Sequence, residues 1–245
     1  MLHTLFVSVT STGEKNMATV SASWLTKGYF VLRNDRLMCD VRDTLERSLR
    51  IPRGSLSVRM YPEEQKWKHT VWWRRGRAPY KEAQLFVQIA RGYPVLSIGV
   101  AVEKGYPSLK VAKHAAKRMD SSWDWHRLIA NAGTILGPDI RSLARRLQRP
   151  VTLRVTRTSV SGEGSKTTAY SFAGGNWYER YEGHGAKRRI VEDLNKVDGM
   201  DDHWAIVHLA CDLSPAEADG LTAVDVARTL IKFDEIRKRL RGRSE

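Results

Sequence analysis

The sequence predicts an α+β fold: a mostly antiparallel, sheet-rich N-terminal half followed by a helix-rich mixed α/β C-terminal half. Three observations carry this. Short β-branched and aromatic runs crowd residues 55–103. Beyond Gly105-Tyr106-Pro107 apolar residues recur at helical spacing, and strand patterns then return at 151–157, 168–172 and 203–213. Elements of both kinds are interspersed along the chain, as in α+β architectures. The boundary is expected near residue 105, with a basic, aromatic, sheet-rich lobe over 1–105 and a helix-rich α+β lobe over 106–245, or one continuous domain across both.

Taken in order, strands are expected at 5–10, 18–25 and 29–33, where β-branched and aromatic residues are punctuated by glycine. Asn34 and Asp35 can cap a helix carrying Leu37, Val41, Leu45 and Leu49 at spacing four, and Pro52 and Gly54 end it. Leu56, Val58 and Met60 alternate on one strand face, and further strands follow at 69–74, 84–91 and 94–103, the last two joined at Gly92-Tyr93. Helices are expected at 109–119, 122–132, 139–147 and 186–196. A long terminal helix over 224–240 shows a face of Val224, Ala227, Leu230, Ile231, Ile236 and Leu240. Ser214 with Glu217, and Thr222 with Asp225, have capping-box spacing. Neither a fixed-period repeat nor a low-complexity tract is visible.

Composition limits the function classes. Apolar residues make up 42% and charged residues 28% of the 245, as in a folded globular chain. Lys and Arg number 41 against 27 Asp and Glu, a net charge of +14, and such an excess suits an anionic partner. The bias is spread through the body: residues 1–105 carry 17 basic and 9 acidic side chains, and residues 106–245 carry 24 and 18. No apolar run approaches bilayer length, so no membrane partner is expected. The N-terminal stretch lacks the basic start and small-residue cleavage site of a signal peptide. Cys39 and Cys211, two thiols inside expected secondary structure, suit a reduced compartment, and the expected location is the cytoplasm.

The richest segment is 66–81, in which six Lys or Arg and no acid are interleaved with three Trp and one Tyr. Cations displace counterions from phosphates and flat rings stack on unpaired bases, so Lys66, Lys68, Trp72, Trp73, Arg74, Arg75, Arg77 and Lys81 are candidate nucleic-acid contacts. The plainer alternative is a strand with one of Trp72 and Trp73 in the core and its arginines merely solvated. A second run, 141–157, holds six arginines without an acid. Arg141 and Arg145 share a helix face distinct from that of Leu143 and Leu147, and Arg146 and Arg149 extend the run, against the alternative of a solvated face with scattered ion pairs. In the glycine-rich stretch 174–189, Trp177, Tyr178, Lys187, Arg188 and Arg189 could clamp a backbone or receive a base, or the aromatics could simply anchor the loop.

Catalytic signals are thinner. Asp198, Asp201 and Asp202 beside His203, together with Glu64, are the ligand types that hold Mg²⁺ for phosphodiester hydrolysis, although 198–203 also reads as a polar turn between a helix and a strand. The segment 162–167 lacks the order of a phosphate-binding loop and reads as a hairpin turn. The sequence thus points to a soluble nucleic-acid-binding protein, DNA ahead of RNA, that needs no cofactor. One alternative is a metal-dependent nuclease on the same surface, the only reading in which Mg²⁺ enters. Another is a basic subunit of a larger protein or ribonucleoprotein assembly.

Overall fold

A computed structural model describes residues 19–22, 35–60, 67–74, 82–90, 93–104, 123–159, 164–180 and 185–241. Helix α1 (Asp35–Ser48) comes first, followed by strands β1 (Leu56–Met60), β2 (Trp67–Arg74), β3 (Gln84–Ala90) and β4 (Tyr93–Glu103). Helices α2 (Trp123–Ala130), α3 (Ala132–Thr134) and α4 (Ile140–Leu147) form one run in which a π-helical turn, Ile135–Asp139, links α3 to α4. Then come β5 (Val151–Ser159), β6 (Ser165–Ala173), β7 (Asn176–Glu179), α5 (Lys187–Asp198), β8 (His203–Leu213), α6 (Pro215–Ala218) and α7 (Ala223–Arg241).

The eight strands make a single sheet in the order β1-β2-β3-β4-β8-β5-β6-β7, and every neighbouring pair is antiparallel. The α+β class holds, but the expected contrast between a sheet-rich first half and a helix-rich mixed second half does not. Each half supplies four strands, a helix precedes the first of them, and β8 from the second half pairs with β4 from the first. Local periodicity marks β8 as a strand, but its partner lies about a hundred residues away in sequence, where no local pattern can point.

Alternation decides which face is covered. Ala205, Val207, Leu209, Cys211 and Leu213 of β8 are buried toward the helices together with Leu153 and Val155 of β5 and Leu96, Ile98 and Val100 of β4. Helix α7 packs across β3 and β4, and α1, α2 and α4 pack against it. Of the expected α1 stripe, Leu37, Val41 and Leu45 are wholly buried, whereas Leu49 lies just past the end of the helix and is half-buried. On α7 Ala227, Leu230, Ile236 and Leu240 of the expected stripe are buried and Ile231 is half-buried, but Val224 is exposed, and Val226 and Phe233 also turn inward. Both capping boxes form. Glu217 accepts from the Ser214 amide at 2.8 Å, and Asp225 accepts from the Thr222 amide at 3.0 Å. The sheet's second face carries a smaller cluster of Phe86, Ala101 and Ala210, with His208 edge-on to Phe86 at 4.9 Å.

Most of the strands expected before residue 35 lie outside the described residues, as does the helix expected at 109–119. Of the 18–25 strand, Thr19 makes an isolated bridge to Thr222. The two-residue register is demanding where β4 meets β8, because a Cβ on Gly99 would sit 1.9 Å from the Leu209 carbonyl oxygen and 2.8 Å from the Ala210 Cα. Both obstacles are backbone and cannot rotate away. Gly99→Ala is therefore expected to cost about 1–3 kcal/mol or more, read as a lower urea midpoint; an unchanged midpoint would show that β4 and β8 have room to part.

Candidate nucleic-acid interface

The π turn before α4 has a local cause. Pro138 supplies no backbone donor. The Ile140 amide bonds back to the Ile135 and Gly137 carbonyls, passing over that of Leu136. The skipped carbonyl accepts from the Trp177 indole Nε1 at 2.7 Å. Trp177 is wholly buried and lies edge-on to Phe172 at 5.1 Å. It is thus an anchor holding β7 to the helix run, and its proposed place on a binding surface is corrected by its burial. Tyr178, the next residue, is 36% exposed and by alternation belongs to the opposite sheet face.

Helix α4 then sorts its side chains as the spacing predicts. Ile140, Leu143 and Leu147 are buried, whereas Arg141 and Arg145 are exposed, one turn apart, and make no ion pair or hydrogen bond with any described residue. Lys187, first residue of α5, brings its ammonium against Gly137, where an added Cβ would lie 3.0 Å from Nζ. Three cations therefore line one edge running from the π turn along α4. Arg188 is almost fully exposed, 3.2 Å from Glu192, and Arg189 meets Glu179 at 2.6 Å. No acid stands in the first turn of α5 and no side chain caps it, so its positive dipole end coincides with Lys187, Arg188 and Arg189.

Three further arginines of the run are committed elsewhere. Arg146 pairs with Glu235 of α7, and Arg149 with Glu217. Arg154 lies on the other sheet face, 3.3 Å from Asp212, which also accepts from Ser97 at 2.7 Å. Contiguity in sequence made these residues look like one patch; the turn at Gln148, left-handed at φ 55°, and the sheet alternation distribute them. In the aromatic segment, Trp72 stands opposite Leu85 and Val58 in register, Trp73 opposite Ser57, Lys68 opposite Ile89, and Arg74 opposite Leu56. Lys66, Arg75, Arg77 and Lys81 lie outside the described residues, as does Glu64.

The carboxylates at 198–202 serve a buried lysine. Lys104 is 3% exposed and donates to the Val197 and Met200 carbonyls at 2.6 and 2.7 Å, closing the C-terminal end of α5. Burial pushes its pKa down, and the charges of Asp198, Asp201 and Asp202 oppose that shift. Asp198 accepts from the Trp125 indole at 2.7 Å, and Asp202 lies 2.6 Å from His203 Nδ1. Among the described residues no group of three or more His, Cys, Asp or Glu is placed to hold a metal ion. Asp139, at the end of the π turn, is buried with one oxygen lacking a partner; burial raises its pKa, and Arg239 at 3.4 Å pulls it back.

Among the described residues no helix is long and apolar enough to cross a membrane. No protein-family model, curated protein or solved structure matches the chain.

Glu217 gives a pH test of the contacts it makes with Ser214 and Arg149. Bonds from the Ser214 amide and hydroxyl and from Arg149 hold its pKa near 2, against 4.5 when free. A depressed carboxylate stabilises the fold above its free pKa, and that contribution disappears as pH falls through the folded value. Glu217→Gln is expected to flatten the loss of stability between pH 4.5 and about 2. Urea unfolding at pH 5 and pH 3 checks this, and parallel losses in variant and parent would count against it.

Proposed function

We propose that this protein binds nucleic acid, DNA ahead of RNA, by neutralising backbone phosphates along the edge formed by Arg141, Arg145 and Lys187. The observation that carries the reading is that two exposed arginines one turn apart on α4 have no described partner, in a chain whose net charge is +14. An arginine held in an ion pair exchanges one anion for another on binding. An unpaired one gains the full release of condensed counterions. The uncapped, acid-free start of α5 adds backbone donors and a dipole of the same sign. Arginine also suits bidentate contact with phosphate or guanine, which favours a duplex major groove over a single strand. The same reading places the protein in the cytoplasm, where Cys39 and Cys211, both unpaired thiols, stay reduced.

Anisotropy titrations of labelled duplex DNA, single-stranded DNA and RNA over a range of salt test the reading. For the Arg141→Ala/Arg145→Ala double variant, the slope of log K against log salt is expected to fall by about 2, one phosphate contact for each arginine. Arg146→Ala and Arg149→Ala, which remove residues already paired with acids, should leave the slope near its parent value. A double variant that binds with the parent slope, or a parent that binds none of the three probes, would refute the reading.

A further inference from the structure

A second set of uncommitted cations surrounds a cleft of about 330 Å³ between α5 and the β5–β6 end of the sheet. Its sheet wall comes from cross-strand pairs on the helix-facing side: Arg157 stands opposite Lys166, and Val155 opposite Thr168. The helix wall is the α5 stripe at spacing three and four that includes Asp193 and Lys196, and Glu179 of β7 closes one end. The volume lies in the range of small-molecule sites.

The state of each charge indicates the ligand. Glu179 is bound by Arg189, Glu192 faces Arg188, and Asp193 accepts from the Tyr170 hydroxyl. Lys166 and Lys196 are exposed and have no described partner, and among the described residues the side chain of Arg157 has one polar contact, a 3.9 Å approach to the Met200 sulfur. Three cations with no carboxylate partner among the described residues thus line the cleft with Thr168, while Glu179 and Asp193 keep acceptor lone pairs. Unpaired donors suit a multiply charged oxyanion, and carboxylate acceptors suit hydroxyl groups attached to it.

We propose that this cleft binds a phosphorylated sugar, with the phosphate on Arg157, Lys166 and Lys196 and the sugar hydroxyls on Glu179 and Asp193. The site goes beyond the nucleic-acid reading and does not use Arg141 or Arg145, so each can fail without the other. The sugar phosphate is either a free small molecule or the phosphorylated end of a nucleic-acid strand.

Calorimetric titration of the full chain with ribose 5-phosphate tests the site, with ribose as comparator. Ribose 5-phosphate is expected to bind, and Lys166→Ala and Lys196→Ala should each weaken it at least about tenfold. Arg141→Ala/Arg145→Ala should leave it unchanged, and ribose should bind at least about tenfold more weakly. Because Lys166 and Lys196 are exposed, their variants should keep the parent melting temperature. A further comparison of 5′-phosphorylated and 5′-hydroxyl oligonucleotides assigns the source. Preference for the phosphorylated end that Lys166→Ala abolishes identifies strand ends, and equal binding of the two, with ribose 5-phosphate retained, identifies the free sugar phosphate. Absence of ribose 5-phosphate binding at millimolar concentration, or binding that survives both lysine substitutions, overturns the proposal.

Discussion

The pairing of β8 with both β4 and β5 is the constraint on which the rest of the structure depends. The strands β1 to β4 pair in chain order, as do β5 to β7, and β8 alone joins the two sets into one sheet. The helix layer follows from that junction. Helix α7 packs across β3 and β4, α1, α2 and α4 pack on α7, and the buried side of the sheet is continuous only because Val207 and Leu209 of β8 fill the line between Val100 of β4 and Val155 of β5. A side chain at Gly99 would force the two backbones apart at this junction. One residue without a Cβ thus permits a close backbone approach in the middle of the sheet.

The acids are used mainly at seams between elements. Buried Glu46 accepts from the Gly54 and Leu56 amides at 2.8 Å, tying the end of α1 to the start of β1. Asp124 accepts from the Ala83 amide at 2.5 Å, and Glu82 holds Arg241 at the end of α7. Glu235 of α7 takes Arg146 of α4, and Glu217 takes Arg149. Such seams cost desolvation and fix geometry more than they add stability. They also determine where the excess positive charge goes. With many carboxylates taken up by such partners, the surplus cations stand outside, and Arg141, Arg145, Lys166 and Lys196 are among the described examples.

What could be read from the sequence follows from the range of each interaction. Local periodicity gave the α1 stripe, the capping boxes at Ser214 and Thr222 and the exposed pair Arg141 and Arg145, because each depends on neighbours within one helical turn. It missed β7, since Asn176–Glu179 is too short and glycine-flanked to alternate visibly. It placed Trp177 on a surface because nothing local shows that a carbonyl skipped by a π turn forty residues earlier awaits an indole donor. The Arg157, Lys166 and Lys196 cleft was invisible for the same reason. Two of its cations meet only through the β5–β6 register, and the third only when α5 is laid over that pair.

Helix α5 shows how these levels combine. Ile190, Leu194 and Val197 bury one face, and the polar residues between them fall to either side. At its C-terminal end the carbonyl dipoles are met inside the protein by Lys104, with Asp198, Asp201 and Asp202 offsetting the charge that lysine brings. At its N-terminal end no acid lies in the first turn, Ala186 offers no side-chain cap, and three cations add to the same sign. A helix whose negative end is compensated internally and whose positive end is reinforced has its lowest electrostatic energy when an anion arrives from outside. Lys187 carries this uncompensated end toward the α4 edge, whereas Arg157, Lys166 and Lys196 of the cleft lie toward the opposite end of α5, where Arg157 approaches Met200 and Lys196 stands in the last turn.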